Sequence, residues 1–126
     1  MTYTATDRAR QEPACVYYLA DPRTPRHPRY VGETKQPMVR AHFHCQAYRG
    51  NPELQAWKHE LAAAGLQPVL VVVAWYPSKP AARAAEWRLI RRWRRRGLAD
   101  CNTARDGEWE AWVCMCVAIN RRKGVA

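Results

Sequence analysis

Val69–Tyr76 (VLVVVAWY) is an uninterrupted run of eight apolar residues, fenced by Pro68 and Pro77. No apolar run in the chain approaches the ~20 residues a bilayer crossing needs, so a membrane-spanning protein is excluded. β-Branched content between two prolines predicts a strand. A continuous rather than alternating pattern predicts a central strand, buried on both faces. A chain of 126 residues has room for one such core.

The remaining elements follow from local pattern. Cys15–Leu19 reads as a short strand, and Pro22, Pro25 and Pro28 make Ala20–Arg29 a loop. Tyr30–Gly32 reads as a second strand, antiparallel to the first. Pro37, with Thr34 or Gln36 as cap, opens a helix that Val39, Phe43 and Ala47 carry to about Tyr48. Arg40 and His44, one turn apart, share another face of it. Asn51-Pro52 starts a second helix with the apolar stripe Leu54, Trp57, Leu61 and Ala64, ended by Gly65. Ser78 and Pro80 open a long helix to about Arg96, stopped by Gly97. Ala82, Ala85, Leu89, Ile90 and Trp93 form its apolar side, with Glu86 in the middle. A carboxylate there needs an ion pair or a metal, and both stay open. The fold class expected is α+β, a small antiparallel three-stranded sheet flanked by helices. Residues 1–13 are a polar lead-in. Residues 108–126 are a C-terminal helix and basic tail on the same domain. Its Trp109/Trp112 stripe reads as core or as a homodimer surface.

Lys and Arg number 21 against 11 Asp and Glu, a formal charge of +10. Guanidinium-rich excess suits phosphate, although a solubility charge or an acidic partner is the plainer explanation. Arg91, Arg94 and Arg95 fall within a run of five arginines in six positions. Five cysteines without paired spacing predict neither a disulfide framework nor a zinc site. The first residues carry no apolar signal stretch, so a cytoplasmic protein is expected.

In order along the chain, Cys15-Val16-Tyr17, Tyr30-Val31-Gly32, Arg40, His44, Glu86 and Asn102 resemble the GIY-YIG nuclease domain, over roughly residues 14–107. The resemblance implies a stand-alone single-domain endonuclease that hydrolyses DNA, double-stranded or branched, with one divalent ion, Mg²⁺ or Mn²⁺. Glu86 would hold the metal. Arg40 would bind the scissile phosphate, and Tyr30 or Tyr17 would help deprotonate water. His44 would relay the proton, Lys35 would assist, and Asn102 would orient groups around the metal or phosphate. Lys35, Arg83, Arg91, Arg94 and Arg95 would contact the nucleic acid. Residue by residue the plain alternatives are sheet-core tyrosines, a surface histidine, a turn asparagine and an Arg40–Glu86 pair.

Two departures stand out. Cys15 replaces the first glycine, and Glu33 follows Gly32 where several relatives carry a cation. Glu33 favours the alternative of an inactive nucleic-acid-binding module or accessory protein of the same fold. No zinc finger or helix-turn-helix motif follows, so modest sequence preference is expected.

Overall fold

The computed structural model describes residues 12–46 and 50–102. They form β1 (Ala14–Ala20), β2 (Tyr30–Thr34), α1 (Pro37–His44), α2 (Pro52–Ala63), β3 (Val69–Tyr76) and α3 (Lys79–Arg94). The fold is α+β, with an antiparallel three-stranded sheet in the order β2-β1-β3. Among the described residues no helix is long and apolar enough to cross a membrane.

The centre of the sheet is β1, not β3. Val69–Tyr76 is an edge strand that leaves Val72, Val73 and Trp75 exposed by 39%, 45% and 54%. This corrects the expectation of a strand buried on both faces. A continuous apolar run carries no information about how many neighbours a strand has. Here β1 and β2 pair as sequence neighbours, and β3 takes the other side of β1. Pairing of β1 with β3 shifts register between Val16 and Tyr17, where Val73 lacks an opposite partner. Such a bulge bends the strand away from its neighbour.

Alternation along β1 divides the core in two. Ala14 and Val16 pack with Val31 of β2 and with Ala82, Ala85, Trp87 and Ile90 of α3. On the opposite face, Tyr17 and Leu19 pack with Leu54, Trp57 and Leu61 of α2. Burying each of the larger side chains contributes about 1.5–3 kcal/mol. The buried face of α3 is swung toward Trp87, because so large a ring reaches the core from a flanking position. Leu89 and Trp93 pack at its margin, and the Trp93 ring meets Tyr18 edge-on with centroids 5.6 Å apart. Glu86 is half-buried beside this stripe.

Helix ends follow local chemistry. Asn51 accepts a hydrogen bond from the Leu54 N–H at 2.8 Å, and Ser78 from the Ala81 N–H at 3.3 Å. Each is followed by a proline in the first turn, where the missing donor costs nothing. Gln36 precedes α1 without a side-chain cap; Thr34 instead accepts from the Gln36 N–H at 3.1 Å. The helix ends at His44 rather than near Tyr48, and residues 47–49 lie outside the described ones. α3 ends at Arg94, two residues before the expected Arg96, and the chain then turns at Gly97 with φ +74°.

Residues 98–102 run back along the segment that leads into β2, and the Asn102 side chain reaches β2 itself at Val31. The Ala99 N–H donates to the Pro28 carbonyl at 3.0 Å and the Cys101 N–H to the Arg29 carbonyl at 2.8 Å. The Arg29 guanidinium pairs with Asp100 at 2.7 Å and stands over the Trp57 ring at 5.3 Å. On β2 itself, the Val31 N–H and carbonyl, which an edge strand would leave unpaired, are satisfied by the Asn102 side chain. The 1–13 segment up to residue 11, the Trp109/Trp112 stripe and the basic tail lie outside the described residues.

Candidate active site

Tyr17 stands opposite Gly32 across the β1–β2 ladder, and its ring lies flat over that glycine. A Cβ at position 32 would sit 2.4 Å from the Tyr17 hydroxyl oxygen and 2.5 Å from its Cζ. The glycine is required here by space. Its absent side chain lets the phenol cross the edge strand and reach α1, where it shares a 2.9 Å hydrogen bond with His44 Nε2. Tyr30, half-buried at the start of β2, completes a triangle of rings. Its centroid lies 6.5 Å from Tyr17 and 5.6 Å from His44, and the Tyr17–His44 separation is 5.8 Å. Arg40, one turn before His44, holds its guanidinium 5.4 Å from the Phe43 ring centre.

Burial pushes the Tyr17 hydroxyl far above the usual phenol range. Tyr30 and the charges of Glu86 and Glu33 raise it further, and Arg40 opposes them. The phenol therefore keeps its proton at neutral pH. His44 is pushed down to about 3, by burial first and then by the charges of Lys58 and Arg40. Its imidazole is neutral, and Nδ1 is buried without a hydrogen-bond partner. Lys58 of α2 is itself 2% exposed and pushed down to about 8 by burial. Its ammonium lies 5.7 Å from the Phe43 ring. A guanidinium and an ammonium thus flank a phenol–imidazole pair that is uncharged.

The sequence-predicted residues divide into two sets. Tyr17, Tyr30, Arg40 and His44 come together. Glu86 stands on α3, which packs on the other face of the sheet, and its charge acts on Tyr17. Asn102 does other work: its Oδ1 accepts from the Val31 N–H and its Nδ2 donates to the Val31 carbonyl, both at 3.0 Å. The amide pairs with β2 as a neighbouring strand would, so it orients the strand bearing Tyr30 and Gly32. Arg94 donates to the Asn102 carbonyl and serves the same clamp. Arg83 lies 3.6 Å from Glu33, and Lys35 pairs with Glu12 at 3.1 Å. Arg91 and Arg95 are exposed on the last turns of α3 and beyond.

Three positions went unassigned in the sequence. Lys58 sits at the i, i+3, i+4, i+7 spacing set by Leu54, Trp57 and Leu61, and a lysine on an apolar stripe is the signal for it. Glu33, singled out only as a departure, has a side chain 9% exposed, with Lys79 at 3.8 Å. Its Oε2 is buried without a hydrogen-bond partner. Trp75, expected in a strand buried on both faces, is 54% exposed.

Among the described residues no group of three or more His, Cys, Asp or Glu is assembled, which is unlike a closed zinc-type cage. Mg²⁺-type ions need less: one or two carboxylates, with water and substrate phosphate completing the shell. Glu33 Oε2 is buried without a hydrogen-bond partner, and the charges of Glu86 and Glu33 both act on the Tyr17 hydroxyl, so these are the carboxylates such an ion would use. No family model matches the chain, and neither a curated protein nor a solved structure shows significant similarity to it.

Proposed function

We propose that the chain is a small divalent-metal-dependent endonuclease of the GIY-YIG type, hydrolysing DNA phosphodiester bonds in the cytoplasm. One observation carries the reading: two phenols, an imidazole and a guanidinium converge from two strands and a helix around Gly32. Packing alone accounts for a tyrosine or two in a sheet. It gives no reason to assemble this particular set.

Phosphodiester hydrolysis needs an activated water and donors for the charge that develops on the phosphate. Arg40 supplies a planar fork of donors for the non-bridging oxygens. Tyr30, half-buried, is the phenol that meets water; Tyr17, 1% exposed and held protonated, is not. Tyr17 instead fixes the His44 ring through their 2.9 Å bond. His44 is a poor base because burial first, and then the charges of Lys58 and Arg40, disfavour its protonated form. A phosphate entering beside Arg40 would offset those two charges, though not the burial, and so make proton uptake at the imidazole less costly. Glu86 would hold Mg²⁺ or Mn²⁺, which when bound supplies Lewis-acid stabilisation of the charge building on phosphate and leaving oxygen.

Incubation of the protein with supercoiled plasmid and Mg²⁺, Mn²⁺ or EDTA tests the reading. The expected result is metal-dependent nicking, absent in EDTA, with ends that ligase reseals because they carry 5′-phosphate and 3′-hydroxyl. Intact plasmid with metal present contradicts it.

A second reading, an inactive DNA-binding module of the same fold, is favoured by Glu33. Its carboxylate stands against Lys79 and Arg83 and offsets cations that would otherwise face phosphate. Retarded but uncut DNA in every lane would select it.

A further inference from the structure

A concavity of about 750 Å³ opens beside the tyrosine–histidine cluster, between α1 and the edge strand β3. Its walls carry Trp75, Val39 and Phe43 together with Lys35, Arg40 and Lys79. Trp75 is opposite Cys15 on β1, and Cys15 is opposite Thr34 on β2. That row lies two positions along the ladder from the Tyr17–Gly32 row, and Arg40 itself lines the groove.

Trp75 is 54% exposed, with three cations around its groove and one anion, Glu12. An apolar partner laid over this groove would strand those charges away from water, at a cost its contacts would have to overcome. A nucleotide offers what the groove lacks on both counts: a flat aromatic face for the indole and phosphates for the cations. Inside a duplex both faces of a base are already stacked on neighbours. Only a base freed from pairing can lie on a protein ring.

We propose that this groove is a subsite for an unpaired nucleotide beside the scissile phosphate, with its base stacked on Trp75. Lys35 and Lys79 hold the flanking phosphates, in exchange for the carboxylates of Glu12 at 3.1 Å and Glu33 at 3.8 Å that they face now. The substrate class is then DNA with an unpaired segment at the cut, as in gapped, flapped or branched molecules. The placement of the scissile phosphate rests on the nuclease reading; the stacking itself does not.

The test is binding in EDTA, which needs no cleavage. Wild type, Trp75→Ala and Trp75→Phe are titrated against a duplex with a short single-stranded gap containing 2-aminopurine, and against the intact duplex. Because the ring is largely exposed, melting curves of the variants should match wild type. Wild type is expected to bind the gapped DNA more tightly and to quench the probe. Trp75→Ala should weaken that binding about fivefold or more, as loss of one stacked base implies, and abolish the quench. It should leave the intact duplex unaffected, and Trp75→Phe should restore most of the loss. Wild-type affinity and quench in Trp75→Ala would overturn the subsite, as would equal losses on both DNAs. Unchanged DNA affinity with dissociation of an oligomer would make the groove an interface between copies instead. Metal-dependent cleavage with Trp75-independent binding removes the subsite and leaves the nuclease; Trp75-dependent binding without cleavage does the reverse.

Discussion

Replacing Gly32 with Ala places a methyl group where the Tyr17 ring already lies. Contacts of 2.4 Å to the hydroxyl oxygen and 2.5 Å to Cζ must open by about 1 Å to reach ordinary van der Waals distance. The ring is 1% exposed and packed against α2, so it has no empty space to enter. Overpacking of this kind costs about 1–3 kcal/mol. A shift of that size also breaks the 2.9 Å bond to His44, a further loss of about 1 kcal/mol. Ala returns about 0.4–1 kcal/mol by restricting the unfolded chain. The net loss expected is about 1–3 kcal/mol, read as the change in urea unfolding free energy. Tyr17→Phe keeps Cζ and should not relieve the clash. Tyr17→Leu removes it, so the Gly32→Ala/Tyr17→Leu double variant should cost clearly less than the sum of its singles. A Gly32→Ala protein within about 0.5 kcal/mol of wild type, or strictly additive costs, would refute the ring-over-glycine arrangement.

Other consequences follow from the same contacts. His44 titrates at about 3 when folded and near 6.5 when unfolded, so the unfolded chain binds the extra proton between those values. Stability is complete above about pH 6.5 and declines toward pH 3, by up to roughly 5 kcal/mol, and a His44→Gln variant should show a flatter acid limb. Lys58, lowered from 10.5 to about 8, has the same sign in an alkaline window: its contribution is complete above about pH 10.5 and lost as pH falls through 8. Lys58→Met should therefore raise stability at pH 7, by about 1–3 kcal/mol, and raise the His44 pKa seen by NMR; a loss of stability would contradict the burial argument. Asn102→Leu leaves two buried backbone groups of Val31 unpaired and should cost about 2–4 kcal/mol. Amide exchange should speed up first along β2; protection unchanged there would argue against the clamp.

What the sequence carried was local. Asn51-Pro52 and Ser78 with Pro80 mark helix starts because cap and proline act within a single turn. The pairing of Tyr17 with the Tyr30–Gly32 strand was legible because a proline-rich loop between two short β segments leaves few alternatives. Tertiary choices were not legible. Whether Val69–Tyr76 lies at the centre or the edge depends on which side of β1 each partner takes, and an apolar run cannot encode that. Asn102 reads as a turn former or as a group that orients the surroundings of a metal or phosphate, and its partner in the structure is a backbone 71 positions away. Lys58 was visible as a charge on an apolar stripe. Its effect on His44 depends on how α1 and α2 pack, which no spacing records.

The nuclease reading meets its most direct test in the Glu86→Gln variant beside wild type, with supercoiled plasmid and Mg²⁺. Glu86 is half-buried, so the neutral, nearly isosteric amide preserves packing while weakening any divalent-ion site. The expected result is an unchanged melting temperature and unchanged DNA affinity in EDTA, with cleavage lost. A variant that cuts as fast as wild type would remove Glu86 from the metal site and, with it, the single-metal mechanism.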